Sequence, residues 1–150
     1  MTNRFVPILA AASLAAAAGF VIHVFTVEWI HEWVAGQMAG KTVQPSWDVR
    51  VPAALSSMEM GLALTICYAL LKYRFPGLRW WIGGFGLGCL MLAVQGRLLR
   101  QPLMNWLVGN PIEVVLVQDG IAWLTWLVMA LIVAFVFELM PMRHPAPRGA

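Results

Sequence analysis

"FVPILAAASLAAAAGFVIHVF", residues 5 to 25, is the stretch that decides the class of fold. It contains no Asp, Glu, Lys or Arg, and its one ionisable side chain is His23. A helix of roughly 20 apolar residues is long enough to cross the ~30 Å hydrocarbon core of a bilayer. The stretch is therefore predicted to be a membrane-spanning helix.

Three more stretches of similar length and character follow, at residues 51–71, 80–99 and 120–139. Apolar residues make up 61% of the 150-residue chain and charged residues 11%, which excludes an ordinary soluble domain. We therefore predict a single all-α integral membrane domain with four transmembrane helices in an antiparallel bundle. The first helix is expected to continue to about residue 35, and residues 142–150 to form a flexible tail.

The basic residues indicate how such a bundle is oriented, because Lys and Arg are retained on the cytoplasmic side. One side of the predicted bundle would carry Arg4, Lys72, Arg74, Arg79, Arg143 and Arg148. The other would carry Lys41, Arg50, Arg97 and Arg100. This bias predicts an inner (plasma) membrane protein with both termini in the cytoplasm.

The same features have two other interpretations. Residues 1–18 combine a basic start with an apolar, alanine-rich segment, which is also typical of a cleavable signal peptide. The apolar character that continues through Phe25 favours a membrane span instead. The net charge of +3 does not indicate nucleic-acid binding, because the basic residues form no continuous run.

The third apolar stretch carries the glycine pair Gly84 and Gly88. This GxxxG spacing lets helix backbones approach closely within a membrane. It predicts tight packing inside the bundle, and it could equally form the contact with a second copy or another subunit. Gln95 continues the same helical stripe and is expected to face the bundle interior.

Glu59 is the most informative single residue, because it lies well inside the second apolar stretch. Ionisable residues in such segments usually face a partner or a wet cavity, and they are candidates for function. Glu59 is therefore a candidate catalytic residue, as is His31, and either His31 or Asp119 would be its partner in acid-base chemistry. The structural alternative is that Glu59 pairs with Arg97 or Arg100 and locks the bundle.

The other polar residues collect toward the outer end of the predicted bundle. Arg97 and Arg100 could contact an anion, and Asp119 shares a helical stripe with Trp123 and Trp126. A cavity that is apolar at one end and polar at the other is typical of a small-molecule site. The predicted ligand-binding residues are Glu59, Gln95, Arg97, Arg100, Asp119, Trp123 and Trp126.

"EWIHE" places Glu28, His31 and Glu32 on one helical face, as a possible mixed set of metal ligands. Di-iron bundles use the Glu-x-x-His pair twice, whereas this chain has one copy, so solvated interfacial residues are the alternative. His23 is the only deep histidine, and haem is not expected without a second. Cys67 and Cys89 are interpreted as buried apolar residues. No cofactor is predicted.

These features favour a small membrane protein that binds or transports an amphipathic or lipid-like ligand through an outward-facing polar pocket. Two alternatives stay open at this point. One is a membrane-embedded enzyme that uses a buried carboxylate and histidine in acid-base or metal chemistry. The other is an accessory or assembly subunit of a membrane complex.

Overall fold

The computed structural model describes residues 5–38, 50–72 and 78–140. These ranges form five helices, which are α1 (Phe5–Gln37), α2 (Arg50–Leu71), α3 (Trp80–Val94), α4 (Arg100–Leu107) and α5 (Ile112–Leu139). The described residues contain no strand, as the sequence predicts. The tail at 142–150 and the basic residues Arg4, Lys41, Arg74, Arg143 and Arg148 lie outside the described residues.

Three helices, α1, α2 and α5, are each long and apolar enough to cross a membrane, whereas α3 is apolar but has only 15 residues. The prediction of an all-helical chain with apolar helices of membrane-spanning length is confirmed, and three of the four predicted spans reach that length as single helices. α1 is continuous to Gln37, slightly beyond the expected end near residue 35. α5 begins at Ile112, eight residues before the predicted start at residue 120, and Glu113 in its first turn complements the helix dipole.

α3 ends at Val94 and not near Leu99, because the chain closes the helix with a glycine in the left-handed conformation. Gly96 has φ of 71° and donates its N–H to the carbonyl of Ala93. The N–H of Arg97 donates to the carbonyl of Leu92 at 2.9 Å, which completes a Schellman motif. Residues beyond this turn form α4, so the predicted third span divides into two helices.

Contacts along the helices establish their relative directions. Gly61 of α2 lies against Ala12 and Ala16 of α1, and Arg50 at the start of α2 pairs with Glu28 at 3.9 Å. The two helices are therefore antiparallel. α3 and α5 are antiparallel as well, since Gly84 lies against Ala134 whereas Gly88, one turn later, lies against Leu127.

α5 is the central helix, because it packs against both α1 and α3. Its buried residues Met129, Val133 and Phe137 form the core with Leu64 of α2 and Leu87 of α3. Lys72, at the end of α2, donates to the carbonyl of Phe137 at 2.8 Å, so α2 and α5 end on the same side. This end of the structure is called the Lys72 end below, and the opposite end the α4 end.

Gly84 and Gly88 pack within the chain, as the GxxxG spacing predicts. A Cβ at Gly84 would lie 2.9 Å from the Cβ of Ala134, and a Cβ at Gly88 would lie 2.9 Å from Leu127 Cδ2. α5 covers this glycine face, so the expectation that it docks a second chain stays a prediction without support from the described contacts.

Candidate functional site

A cavity of about 540 Å³ lies between α1, α2 and α5, toward the α4 end of the structure. Its polar wall contains the side chains of His23, His31, Ser56, Ser57, Arg97 and Gln118. Its apolar wall includes Ile30, Met60 and Trp126. The volume lies within the range of small-molecule binding sites in proteins.

Helical periodicity explains why these residues share one space. On α5, Gln118, Ala122 and Trp126 repeat at four-residue spacing, and so do Ser56 and Met60 on α2. His23, Val27 and His31 repeat in the same way on α1. Side chains three or four residues apart lie on one face of a helix, so each of the three helices contributes one stripe to the cavity.

The cavity has a polar end and an apolar end. Because α1 runs opposite to α2 and α5, Gly19, Met60 and Trp126 lie deepest, whereas His31, Pro52 and Gln118 lie toward the α4 end. Trp126 is buried, and Gln118 and His31 are exposed. An apolar interior below a polar opening suits a molecule that has a polar head and an apolar body.

Arg97 reaches the cavity from the turn that follows α3. The indole Nε1 of Trp123 donates to the carbonyl of Arg97 at 2.8 Å, and this bond attaches the turn to α5. The Arg97 side chain is half-buried and lines the cavity. A guanidinium carries a permanent positive charge and a planar fork of donors, which suits recognition of a carboxylate or phosphate.

Asp119 lies beside this site but does not line the cavity. The residue is 4% exposed, and its Oδ2 atom has no hydrogen-bond partner among the described residues. Arg97 is the cation whose charge acts on this carboxyl group. Asp119 is therefore a buried carboxyl group that lies close to Arg97 and outside the cavity wall.

The predicted ligand-binding residues divide into two groups. Arg97 and Trp126 line the cavity, whereas Trp123 bonds to the carbonyl of Arg97 and Asp119 lies close to Arg97. Glu59, Gln95 and Arg100 are exposed and lie outside the cavity wall. The expectation that Gln95 faces the interior is wrong, because the helix ends at Val94 and Gln95 belongs to its C-terminal cap.

Glu59 is the residue whose surroundings differ most from expectation. It lies on an exposed face of α2, between the exposed side chains of Leu55, Met58 and Leu62. Among the residues that the structure describes, it makes no hydrogen bond or ion pair, including with Arg97 or Arg100. Its proposed pairing with His31, which lies on the cavity wall, stays a prediction without support from these contacts.

The suggested metal ligands do not converge. Glu28 pairs with Arg50, His31 lines the cavity, and Glu32 is exposed. Within residues 5–38, 50–72 and 78–140, no group of three or more His, Cys, Asp or Glu side chains could share a metal ion. The free thiols of Cys67 and Cys89 are half-buried.

Ser56 and Ser57 line the cavity, although no motif in the sequence marks them as site residues. The four-residue spacing of Ser56 and Met60 was visible, but many stripes in an apolar helix have such a spacing. The sequence does not show which helices pack next to this stripe of α2. That α2 presents this stripe to His23 and Gln118 becomes evident only from the packing.

Comparisons of the chain with known protein families, with functionally characterised proteins and with solved structures each found no match. The function is therefore inferred from the residues of the site.

Proposed function

We propose that this chain is a small inner-membrane protein that binds or transports an amphipathic molecule with an anionic head. In this proposal α3 and the turn after it cross the membrane together with α1, α2 and α5, which gives four antiparallel spans. Both termini then lie in the cytoplasm, as the distribution of Lys and Arg predicts. The cavity opens toward the outer side.

The composition of the cavity is the observation that carries the proposal. Arg97 is the cation in its wall, and the hydroxyl groups of Ser56 and Ser57 offer further donors for a negatively charged head. Met60 and Trp126 form an apolar wall for a hydrocarbon body. We assign Arg97 the main role in recognising the head and Trp126 a role in holding the body.

The test compares two probes that differ only in the head, dodecanoate and 1-dodecanol. Binding of each radiolabelled probe is measured with the protein in nanodiscs, after subtraction of binding to empty nanodiscs. We expect dodecanoate to bind more tightly, and Arg97→Gln to weaken it by about tenfold or more, since a charged hydrogen bond contributes at least that much to affinity. Binding of 1-dodecanol should change little.

Arg100→Gln is the matched control, because Arg100 lies three residues from Arg97 and does not line the cavity. It should bind both probes as the unmodified protein does. Ala122→Phe places a larger side chain in the cavity, so it should weaken the binding of both probes equally. Equal weakening of dodecanoate by Arg97→Gln and Arg100→Gln, or no binding above empty nanodiscs, would contradict the proposal.

The sequence also suggests two alternative functions, a membrane-embedded enzyme and an accessory subunit of a membrane complex. An enzyme would use Glu59 and His31 together, but His31 lines the cavity and Glu59 does not. The subunit would dock through Gly84 and Gly88, which α5 covers. Ligand binding is therefore the function that the described contacts favour.

A further inference from the structure

A second and larger concavity, of about 930 Å³, lies between α2 and α3 at the Lys72 end. It shares no lining residue with the cavity described above. We propose that this groove holds one phospholipid from the surrounding membrane, and that it selects an anionic headgroup. The proposal is independent of the ligand proposed for the cavity.

The groove exists because α3 packs against α5 and leaves a gap toward α2. Gly84 and Gly88 bring one face of α3 close to α5. Gly83 and Gly86 lie on the side of α3 that lines the groove, and a Cβ at Gly86 would have no atom within 4 Å. The absence of side chains at these positions keeps the groove wide.

The walls are apolar along the groove and charged at one end. Leu87, Leu90 and Ile82 line it, and Leu90 and Ile82 are also exposed. Lys72 and Arg79 lie at the Lys72 end together with one acidic residue, Glu138. A membrane-facing groove with this pattern is complementary to a hydrocarbon chain attached to an anionic head.

Lys72 is held in place by contacts that leave part of its donor capacity free. Its Nζ atom donates to the Phe137 carbonyl at 2.8 Å and lies 3.9 Å from Glu138 Oε2. An ammonium group has three donors. Arg79 is exposed, and its side chain makes no hydrogen bond or ion pair with the described residues, so its guanidinium is available for a phosphate.

Tyr68 adds an uncharged donor to the same end. Its ring packs edge-on against Phe137 with centroids 5.5 Å apart, which fixes the direction of the phenol. The hydroxyl lies 3.4 Å from the position of a Cβ at Gly83, at the groove wall, and has no hydrogen-bond partner among the described residues. The Lys72 end of the groove is therefore lined by two cations, Lys72 and Arg79, and by the Tyr68 hydroxyl. Glu138 is the one acidic residue in the same lining.

Trp80 and Trp81 support the placement of the lipid headgroup at the Lys72 end of the groove. Both line the groove next to Arg79, and Trp81 is exposed. Tryptophan is enriched where hydrocarbon meets the lipid headgroups. A phospholipid whose phosphate contacts Arg79 and Lys72 would thus have its acyl chain along Leu87 and Leu90.

The experiment measures lipid retention by native mass spectrometry. Delipidated protein is incubated with dioleoylphosphatidylglycerol or dioleoylphosphatidylcholine, which have identical acyl chains, and bound lipids are counted after release from detergent. We expect the anionic lipid to be retained about tenfold more than the zwitterionic one. Arg79→Gln should lower retention of phosphatidylglycerol to the level of phosphatidylcholine, because it removes the exposed cation.

Gly86→Leu tests the groove itself, because Gly86 lines the groove and a Cβ there would have no atom within 4 Å. It should reduce retention of both lipids. Gly120→Leu is the matched control, since a Cβ there also has open space but Gly120 does not line the groove. It should retain both lipids as the unmodified protein does.

The melting temperature of each variant is measured in parallel, and Leu90→Trp replaces Gly86→Leu if the latter does not fold. Equal retention of the two lipids by the unmodified protein would overturn the proposed selectivity. Unchanged retention in a folded groove-filling variant would overturn the proposed location.

Discussion

Glu59 shows most clearly how a residue's neighbours decide its interpretation. Its depth in an apolar helix predicts either a site or an ion pair, yet the described contacts provide neither. The carboxyl group lies on the same exposed face of α2 as Leu55 and Leu62. An ionisable group on such a face of a membrane-spanning helix destabilises the isolated chain.

We therefore expect Glu59→Leu to stabilise the protein. Removing a carboxyl group from the middle of a helix that is proposed to span the membrane should raise the free energy of unfolding by up to about 3 kcal/mol. Thermal unfolding in nanodiscs measures the change. Glu28→Leu is the control, because Glu28 is exposed near the end of α1 and pairs with Arg50. A lower melting temperature for Glu59→Leu would mean that the carboxylate makes a stabilising contact.

At the scale of the helix, Gly61 determines how closely α1 and α2 approach. A Cβ at this position would lie 2.6 Å from the carbonyl oxygen of Ala12 and 2.9 Å from the amide nitrogen of Ala16. Both atoms belong to the backbone of α1, so they cannot move without shifting the helix. The contact between α1 and α2 depends on the absence of a side chain here.

Gly61→Ala should destabilise the protein by about 1–3 kcal/mol, the usual cost of overpacking a tight contact. Gly120→Ala is the matched control, because a Cβ there has no atom within 4 Å, and it should be neutral or slightly stabilising. Unfolding of both variants in mixed detergent micelles measures the difference. Equal stability of the two variants would show that α1 and α2 are not packed as described.

The helices themselves were largely predictable, because long apolar runs have few alternatives. The Gly84 and Gly88 spacing also predicted a close helix contact, and the structure has one. Gly61 had no comparable signal, since its partners Ala12 and Ala16 are on another helix and one sequence does not identify neighbours. The end of α3 was misjudged because apolar residues continue beyond Gly96, whose left-handed backbone closes the helix.

The site could be predicted only in part, because its residues come together through the packing of the whole molecule. Arg97 and Trp126 were identified from their polarity and spacing, and both line the cavity. The face that each helix presents depends on how all of them pack. Gln95 and Arg100, close in sequence to Arg97, point elsewhere because a turn separates α3 from α4.

The orientation of the whole molecule is open to a direct test. The distribution of Lys and Arg predicts that both termini are cytoplasmic and that α4 faces the opposite side. Asn105→Cys on α4, in a chain with Cys67 and Cys89 replaced by Ser, should react with a membrane-impermeant maleimide on intact cells. A cysteine appended after Ala150 should react only after lysis. The reverse pattern would invert the orientation.

The short length of α3 affects the membrane around the protein. At 1.5 Å per residue its 15 residues extend about 22 Å, whereas the 22 residues of α2 extend about 33 Å. In the proposed four-span arrangement, hydrocarbon of ~30 Å would match α2 but would become thinner beside the short span formed by α3 and the turn after it, at a cost of a fraction of a kcal/mol per Å. A protein with unequal helix lengths deforms the bilayer on one side, so it should favour thinner regions of the membrane.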